Sequence, residues 1–383
     1  MKIRMYHLLG IFTIFFFVFA ESKENQKSKW KGKISEEEGV RIIKNPREPA
    51  YGELKFNLIE DLSIGKENDD RYLFYGIRDI KVDADENIYV FEVKNRRVQK
   101  FDRNGQFLCT IGRQGGQGPG EFQMPNLIIL DDKNGVVGIQ DLRVLKIFKK
   151  DGNYLNEDIN FEIFNSQLIV DTDGNLWGIA SESEGSDDTS SKLFKVLISY
   201  NAHGKIKKRV ARFPYEIFQE RKPGSLVTVT SGEEYSLFIS TIGKQDLVYG
   251  YSKEYELNMV DSEGDLLLRI RKEEPYQNFS AKEKQKGGKG KFPEHKPFFY
   301  SILTDSQARI YAQRNNPDPS ENLERRFDIF SRDGYYLYKT TCPLTPYVIK
   351  NGFFYTQVVN DETGEVFVKR FRIKNWGHIK DGI

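Results

Sequence analysis

Three histidines beyond residue 20, two cysteines and a recurring aspartate are the groups in this chain that could ligate a metal or move a proton. Zinc needs its ligands to converge within about 2.1 Å of one centre. His203 sits in a short turn (Tyr200 to Gly204), His295 in a long lysine-rich insertion and His378 beyond the last strand-forming run, so convergence is not expected. Asp83, Asp131, Asp171 and Asp305 each follow a short strand-forming run. An Asp in that position accepts hydrogen bonds from backbone amides two residues on and stabilises a turn. The alternative is a carboxylate ring around one axis that binds calcium through oxygen. No G-x-S-x-G elbow, H-E-x-x-H helix or Cys-His pairing is present, so no catalytic residue is assigned and no cofactor is expected. Cys109 and Cys342 fall on outer strands of repeats that are not neighbours, which predicts two thiols and no bridge.

The elements that position these groups are clearest from Ile80 to Phe122. Ile80 to Val82, Ile88 to Phe91, Val98 to Asp102 and Phe107 to Gly112 are strand-forming runs separated by Asp-, Asn- and Gly-rich turns. Four antiparallel strands in about forty residues make one propeller blade, which cannot bury both its faces alone. The turn FDRNG (Phe101 to Gly105) recurs as FKKDG (Phe148 to Gly152), YNAHG (Tyr200 to Gly204), VDSEG (Val260 to Gly264) and FSRDG (Phe330 to Gly334). A last set, Tyr347 to Lys350, Phe353 to Val359 and Val366 to Ile373, is one strand short. Leu58 to Gly65 matches the fourth-strand segment FLCTIG and is expected to close the ring against Val366 to Ile373. Val40 to Lys44 is expected to add a further outer strand. The fold class is therefore all-β, a six-bladed β-propeller of four-stranded antiparallel blades closed by an N-terminal strand, spanning residues 39–383 as one domain.

The strings NIYV, NRRVQKFDRNGQFLCTIG and GQGPGEF resemble the NHL repeat, and more closely the six-bladed β-propeller proteins exported by bacteria. The closing segment RIKNWGHI (Arg372 to Ile379) is similar to their C-terminal end. That resemblance implies the fold and little about function, since propellers host many functions. Some propellers of this kind are zinc lyases and others are calcium lactonases. A metal-dependent lyase or lactonase at the mouth of the central tunnel is therefore the alternative function, with Asp83, Asp131, Asp171 and Asp305 as its calcium ligands.

Turns between first and second and between third and fourth strands are short. The insertions, Ser181 to Ser191, Pro214 to Glu234, Lys272 to Pro297 and Gln313 to Leu323, all fall on the opposite face, and one-sided elaboration marks the binding side of a repeat protein. Candidate ligand-binding residues on that face are Arg97, Arg113, Gln114, Arg143, Tyr276 and His295. The Gly-rich loop Arg113 to Glu121 precedes no helix, so it is not expected to cradle phosphate. First strands should line the tunnel with an apolar wall, Lys81 and Lys350 being the charged exceptions. Tyr89, Trp177 and Tyr311 occupy equivalent second-strand positions, which predicts packing between blades.

The 383 residues carry a net charge of +2. Lys2 and Arg4 precede an apolar run from Leu8 to Ala20, too short for a bilayer span and typical of a secretory signal peptide over residues 1–20. No lipobox cysteine follows it. Without Lys2 and Arg4 the basic residues equal the 56 acidic ones, which argues against a nucleic-acid binder. Residues 21–38 read as a flexible linker. The leading expectation is a monomeric, non-enzymatic, secreted or periplasmic propeller that binds a protein, peptide or glycan on its insertion face, with no membrane span once the signal is removed.

Overall fold

The computed structural model describes residues 30–383 except 67, 117, 185–191, 216–218, 222–227, 231–234, 287–291 and 315–323. The expected signal peptide, the first part of the linker and portions of all four insertions lie outside the described residues.

Six four-stranded antiparallel sheets form the ring. The first comprises Ile77–Val82, Ile88–Glu92, Arg97–Phe101 and Phe107–Ile111. The second runs from Pro125–Asp131 to a fourth strand of only two residues, Ile159–Asn160. The third spans Asn165–Val170 to Ile206–Tyr215, the fourth Leu237–Ile242 to Leu266–Lys272, and the fifth Phe299–Thr304 to Tyr336–Cys342. The sixth is built from Val348–Lys350, Phe353–Val359 and Val366–Ile373, completed by Leu58–Ile64 in antiparallel register, Val368 opposite Ile64 and Ile373 opposite Leu58. The closing strand is where its sequence placed it.

Inner strands are buried on both faces, so they lack the alternation of a one-sided sheet. Ile88 and Val90 pack toward the sixth blade, whereas Tyr89 and Phe91 pack toward the second. Apolar layers of this kind between neighbouring blades are the core. Gly105, Gly152, Gly204, Gly264 and Gly334 close the recurring outer turns with φ of 80°, 96°, 74°, 78° and 86°, a region other residues enter only with Cβ strain. Cys109 and Cys342 are free thiols on the first and fifth blades, and burial pushes the Cys342 thiol up to about 11.

The N-terminal arm departs from the expected linker. Lys33–Glu37 is a strand, paired with Val40–Asn45, so the tether does not extend to Glu38. Val40–Asn45 is indeed an extra outer strand, but it adds in parallel to Leu266–Lys272 of the fourth blade, and Glu53–Leu54 then adds in parallel to the fifth. Asn45 fastens the arm. Its Oδ1 accepts from Trp30 Nε1 (2.9 Å) and Tyr336 N (2.8 Å), and its Nδ2 donates to the carbonyls of Gly334 (2.8 Å) and Arg271 (3.2 Å). An Asn offers about this many bonds in total, so its capacity is filled.

Candidate functional site

The insertion face is built by buried acceptors at the ends of second strands. Glu92, fully buried, accepts from Tyr75 N (2.6 Å), Asn95 Nδ2 (2.8 Å) and Arg97 Nε (2.7 Å). Arg97 also donates to the carbonyls of Asp70 and Leu73. Its guanidinium is therefore spent inside the protein, and it holds the 69–76 crossover in place. In the second blade Asp141 accepts from Gln123 N (2.9 Å) and Met124 N (2.6 Å); in the fourth, Ser252 Oγ accepts from Ser236 N (2.9 Å). These three crossovers are thus fixed by backbone bonds to a buried group, and their side chains are held in a set geometry.

Those side chains are apolar. Among the described residues twelve large hydrophobic side chains are exposed, and seven of them lie on this face: Leu73, Tyr75, Met124, Leu142, Phe164, Tyr276 and Val359. Ile34, Ile59, Leu108 and Leu267 belong to outer strands and Ile383 to the C-terminus. Among the described residues none occupies the tight-turn face. Sequence reasoning missed all but Tyr276, because an apolar loop residue looks the same whether it packs down or points out.

The remaining expected residues are spread around the ring. Arg113 and Gln114 are exposed in the Gly-rich loop, whose logic is internal: Glu121 accepts from Gly116 N (2.9 Å) and Gly118 N (3.2 Å), with Arg113 at 3.3 Å. These amides and Arg113 hold the Glu121 carboxyl below its usual range, so the glycines wrap a carboxylate of their own loop. Arg143 donates weakly to Glu162 O (3.4 Å). Tyr276 and His295 are brought together, ring centroids 4.4 Å apart, with Phe298 and Tyr235 completing the cluster around His295. His295 Nδ1 lies 2.8 Å from the Lys296 carbonyl, which makes that nitrogen the N–H of the ring.

The insertion bearing them is part of the packed structure. Lys272, Phe279, His295 and Lys296 are all buried. Ser280 starts a short helix, Ala281–Lys286, through a capping box in which Glu283 N donates to Ser280 Oγ (3.2 Å) and Ser280 N to Glu283 Oε2 (2.8 Å). Beneath it, between the fourth and fifth blades, Asp328 is fully buried and accepts from Tyr255 and Tyr336 (2.6 Å from the latter). Lys272 lies 3.3 Å and Arg314 3.5 Å from the same carboxylate, and both pair with Glu274. Burial, then the Asp328 charge, pushes both phenols far above their usual range, so they remain donors. The loop Ser181 to Ser191 also begins later than expected, since the second strand of its blade continues to Glu184.

Within the ring lies a tunnel cavity of about 270 Å³ lined by the first strands, as expected. Its polar groups satisfy one another: Ser240 Oγ and Thr304 Oγ1 are 3.0 Å apart, and Lys81 pairs with Asp79 at 3.0 Å. Lys350 donates to the carbonyls of Val82 (3.1 Å) and Asp83 (2.8 Å).

The four aspartates cap turns. Asp83 accepts from Asp85 N, Asn87 N, Asn87 Nδ2 and Tyr89 OH. Asp171 accepts from Asp173 N, Asn175 N, Asn175 Nδ2 and Trp177 Nε1, and Asp305 from Gln307 N, Arg309 N, Arg309 Nε and Tyr311 OH. The equivalent aromatics thus do more than pack: each donates its polar hydrogen to the aspartate of its own blade. Among the described residues Asp131 accepts only from Asn134, through N and Nδ2. Among the described residues no three His, Cys, Asp or Glu side chains gather as a metal site would require.

Burial alone would raise the Asp83 carboxyl, but the Asn87 and Tyr89 hydrogen bonds and Lys150 outweigh it and hold it low. A depressed folded value means stability that is complete above the unfolded value, about 3.9, and lost as pH falls through the folded one. Tyr89→Phe removes one of those donors. Its acid unfolding, followed by circular dichroism, should therefore begin at higher pH than that of the unsubstituted protein.

No curated protein sequence matches the chain. Among solved structures, a protein from Bacteroides fragilis NCTC 9343 described as exported superposes with a TM-score of 0.56 at 13% identity, over 87% of this chain and 99% of that one. A DUF4221 member from Bacteroides vulgatus ATCC 8482 gives 0.50 at 12% identity, over 83% and 98%. Both likenesses are of fold. Residues 36–261 match the DUF5128 family, described as a 6-bladed beta-propeller, and the chain belongs to that family.

Proposed function

We propose that this protein is a non-enzymatic binding propeller, secreted or periplasmic, that engages a protein, peptide or glycan partner on its insertion face. The supporting observation is the gathering on that face of seven of the twelve large hydrophobic residues that are exposed among the described residues. Exposed apolar groups rimmed by polar ones mark interaction surfaces, and aromatic anchors carry much of the energy there. Pinning of the crossovers by Glu92, Asp141 and Ser252 reduces the ordering cost of association. Arg113, Gln114 and Arg143 supply the polar rim around Tyr75, Met124, Phe164 and Tyr276. Export rests on Lys2, Arg4 and the apolar run to Ala20, and the likeness of the blades to NHL repeats rests on the motifs quoted above.

Deleting the insertion Lys272 to Pro297 is a poor test, because it removes buried residues. Point changes are cleaner. Tyr75→Ser, Met124→Ser, Phe164→Ser and Tyr276→Ser combined should abolish capture of a partner from an envelope extract. The outer-strand control Leu108→Ser with Leu267→Ser should leave capture intact. Equal capture by the two variants overturns the reading.

A further inference from the structure

On the opposite, tight-turn face, the second and third blades leave a cavity of about 690 Å³ between them. Sheet register explains it. Tyr89 pairs with Lys81, Trp177 with Ile169 and Tyr311 with Leu303, each partner standing two residues before the turn aspartate of its blade. In the second blade the residue paired with Ile129, two before Asp131, is Gly138. Where three blades carry a buried aromatic ring, this one carries no side chain, and Gly138 lines the void. Its outer wall is also short, since the fourth strand there is only Ile159–Asn160.

A second observation concerns the carboxylate. Tyr89, Trp177 and Tyr311 donate to their aspartates at 3.0, 3.1 and 2.7 Å. Asp131, 7% exposed and lining the same cavity, has no such donor among the described residues, where its hydrogen bonds come from Asn134 alone. Buried Ile129, Leu145, Ile147 and Leu176 form an apolar wall around it. A cavity of this size, walled by apolar side chains with a few polar groups such as Asp131, Asn134 and Asn160 in its lining, is the usual form of a small-molecule site.

We propose that this cavity binds a small aromatic compound bearing a ring N–H or O–H, of the indole or phenol class. The ring occupies the void lined by Gly138 with Ile129 and Leu145, which close over the glycine, and the donor bonds to Asp131. Space beyond the ring accommodates a substituent reaching the mouth, where His203 and Lys205 stand. This site is separate from the partner surface proposed above and does not depend on it.

The test titrates the full chain with indole and phenol, and with 1-methylindole and anisole, by calorimetry and saturation-transfer NMR. Indole and phenol should saturate one shared site, with the methylated pair weaker by about tenfold or more for loss of a bond to a charged acceptor. A Cβ on Gly138 would meet Ile129 Cγ1 at 2.7 Å, so the filling variant is Gly138→Tyr combined with Ile129→Ala, and it should abolish binding. Because that variant could fail to fold, a diazirine-bearing indole is photo-crosslinked to the unsubstituted chain, and label should fall in peptides 129–147, 157–176 or 202–205. Absence of saturable binding, equal affinity for the methylated compounds, or label confined elsewhere overturns the proposal.

Discussion

Asp328→Ala should destabilise the protein by about 3–5 kcal/mol, the usual cost of stranding a buried charge by removing its partner. Asp328 and Lys272 are almost wholly excluded from solvent, the side chains being 0% and 1% exposed. Without the carboxylate, Lys272 keeps Glu274 and the faces of the Tyr255 and Tyr336 rings, Arg314 loses a neighbouring charge, and the two phenol hydroxyls are left facing the gap. The effect is read as the urea midpoint at unchanged slope. Asp328→Ala with Lys272→Met should recover part of the loss, because a buried ion pair replaced by apolar groups of similar size is often neutral. A double variant no more stable than the single one would show that the phenols, and not the ammonium, set the cost.

The second large effect concerns closure of the ring. A chain beginning at residue 66 lacks Leu58–Ile64, so Val366–Ile373 becomes an unpaired edge and Ile64, 2% exposed, leaves the layer between the sixth and first blades. Open edges of this length recruit other chains. The truncated protein should elute as aggregate in size exclusion with light scattering, whereas one beginning at Trp30 should remain monodisperse. Adding a synthetic peptide of residues 55–66 should shift the truncated chain toward the monodisperse form.

How much of this could be read beforehand depended on whether a feature leaves a local mark. The outer turns did, because Gly105, Gly152 and their counterparts need a positive φ that few residues tolerate. The closing strand did, because LIEDLSIG has the pattern of a fourth strand and directly precedes the first blade. Docking of Val40–Asn45 on the fourth blade left none: its parallel partner is more than two hundred residues away, with no turn to announce the pairing. Gly138 looked like any small residue in a strand, and only the pairing with Ile129 aligns it with Tyr89, Trp177 and Tyr311. The candidate site residues fared unevenly. Tyr276 and His295 met in space, whereas Arg97 is consumed by Glu92, which no spacing rule would have paired with a crossover amide.

The N-terminal arm visits the fourth blade, then the fifth, then the sixth, in chain order, before the first blade begins. During synthesis it is among the first segments to appear, yet every surface it docks on is made hundreds of residues later. It must wait, unpaired, until the last strand arrives. Such distant pairing slows folding and prolongs the exposure of strand edges. Under the export proposed above this delay is a benefit: the seam that locks the ring cannot form while the chain is still in transit.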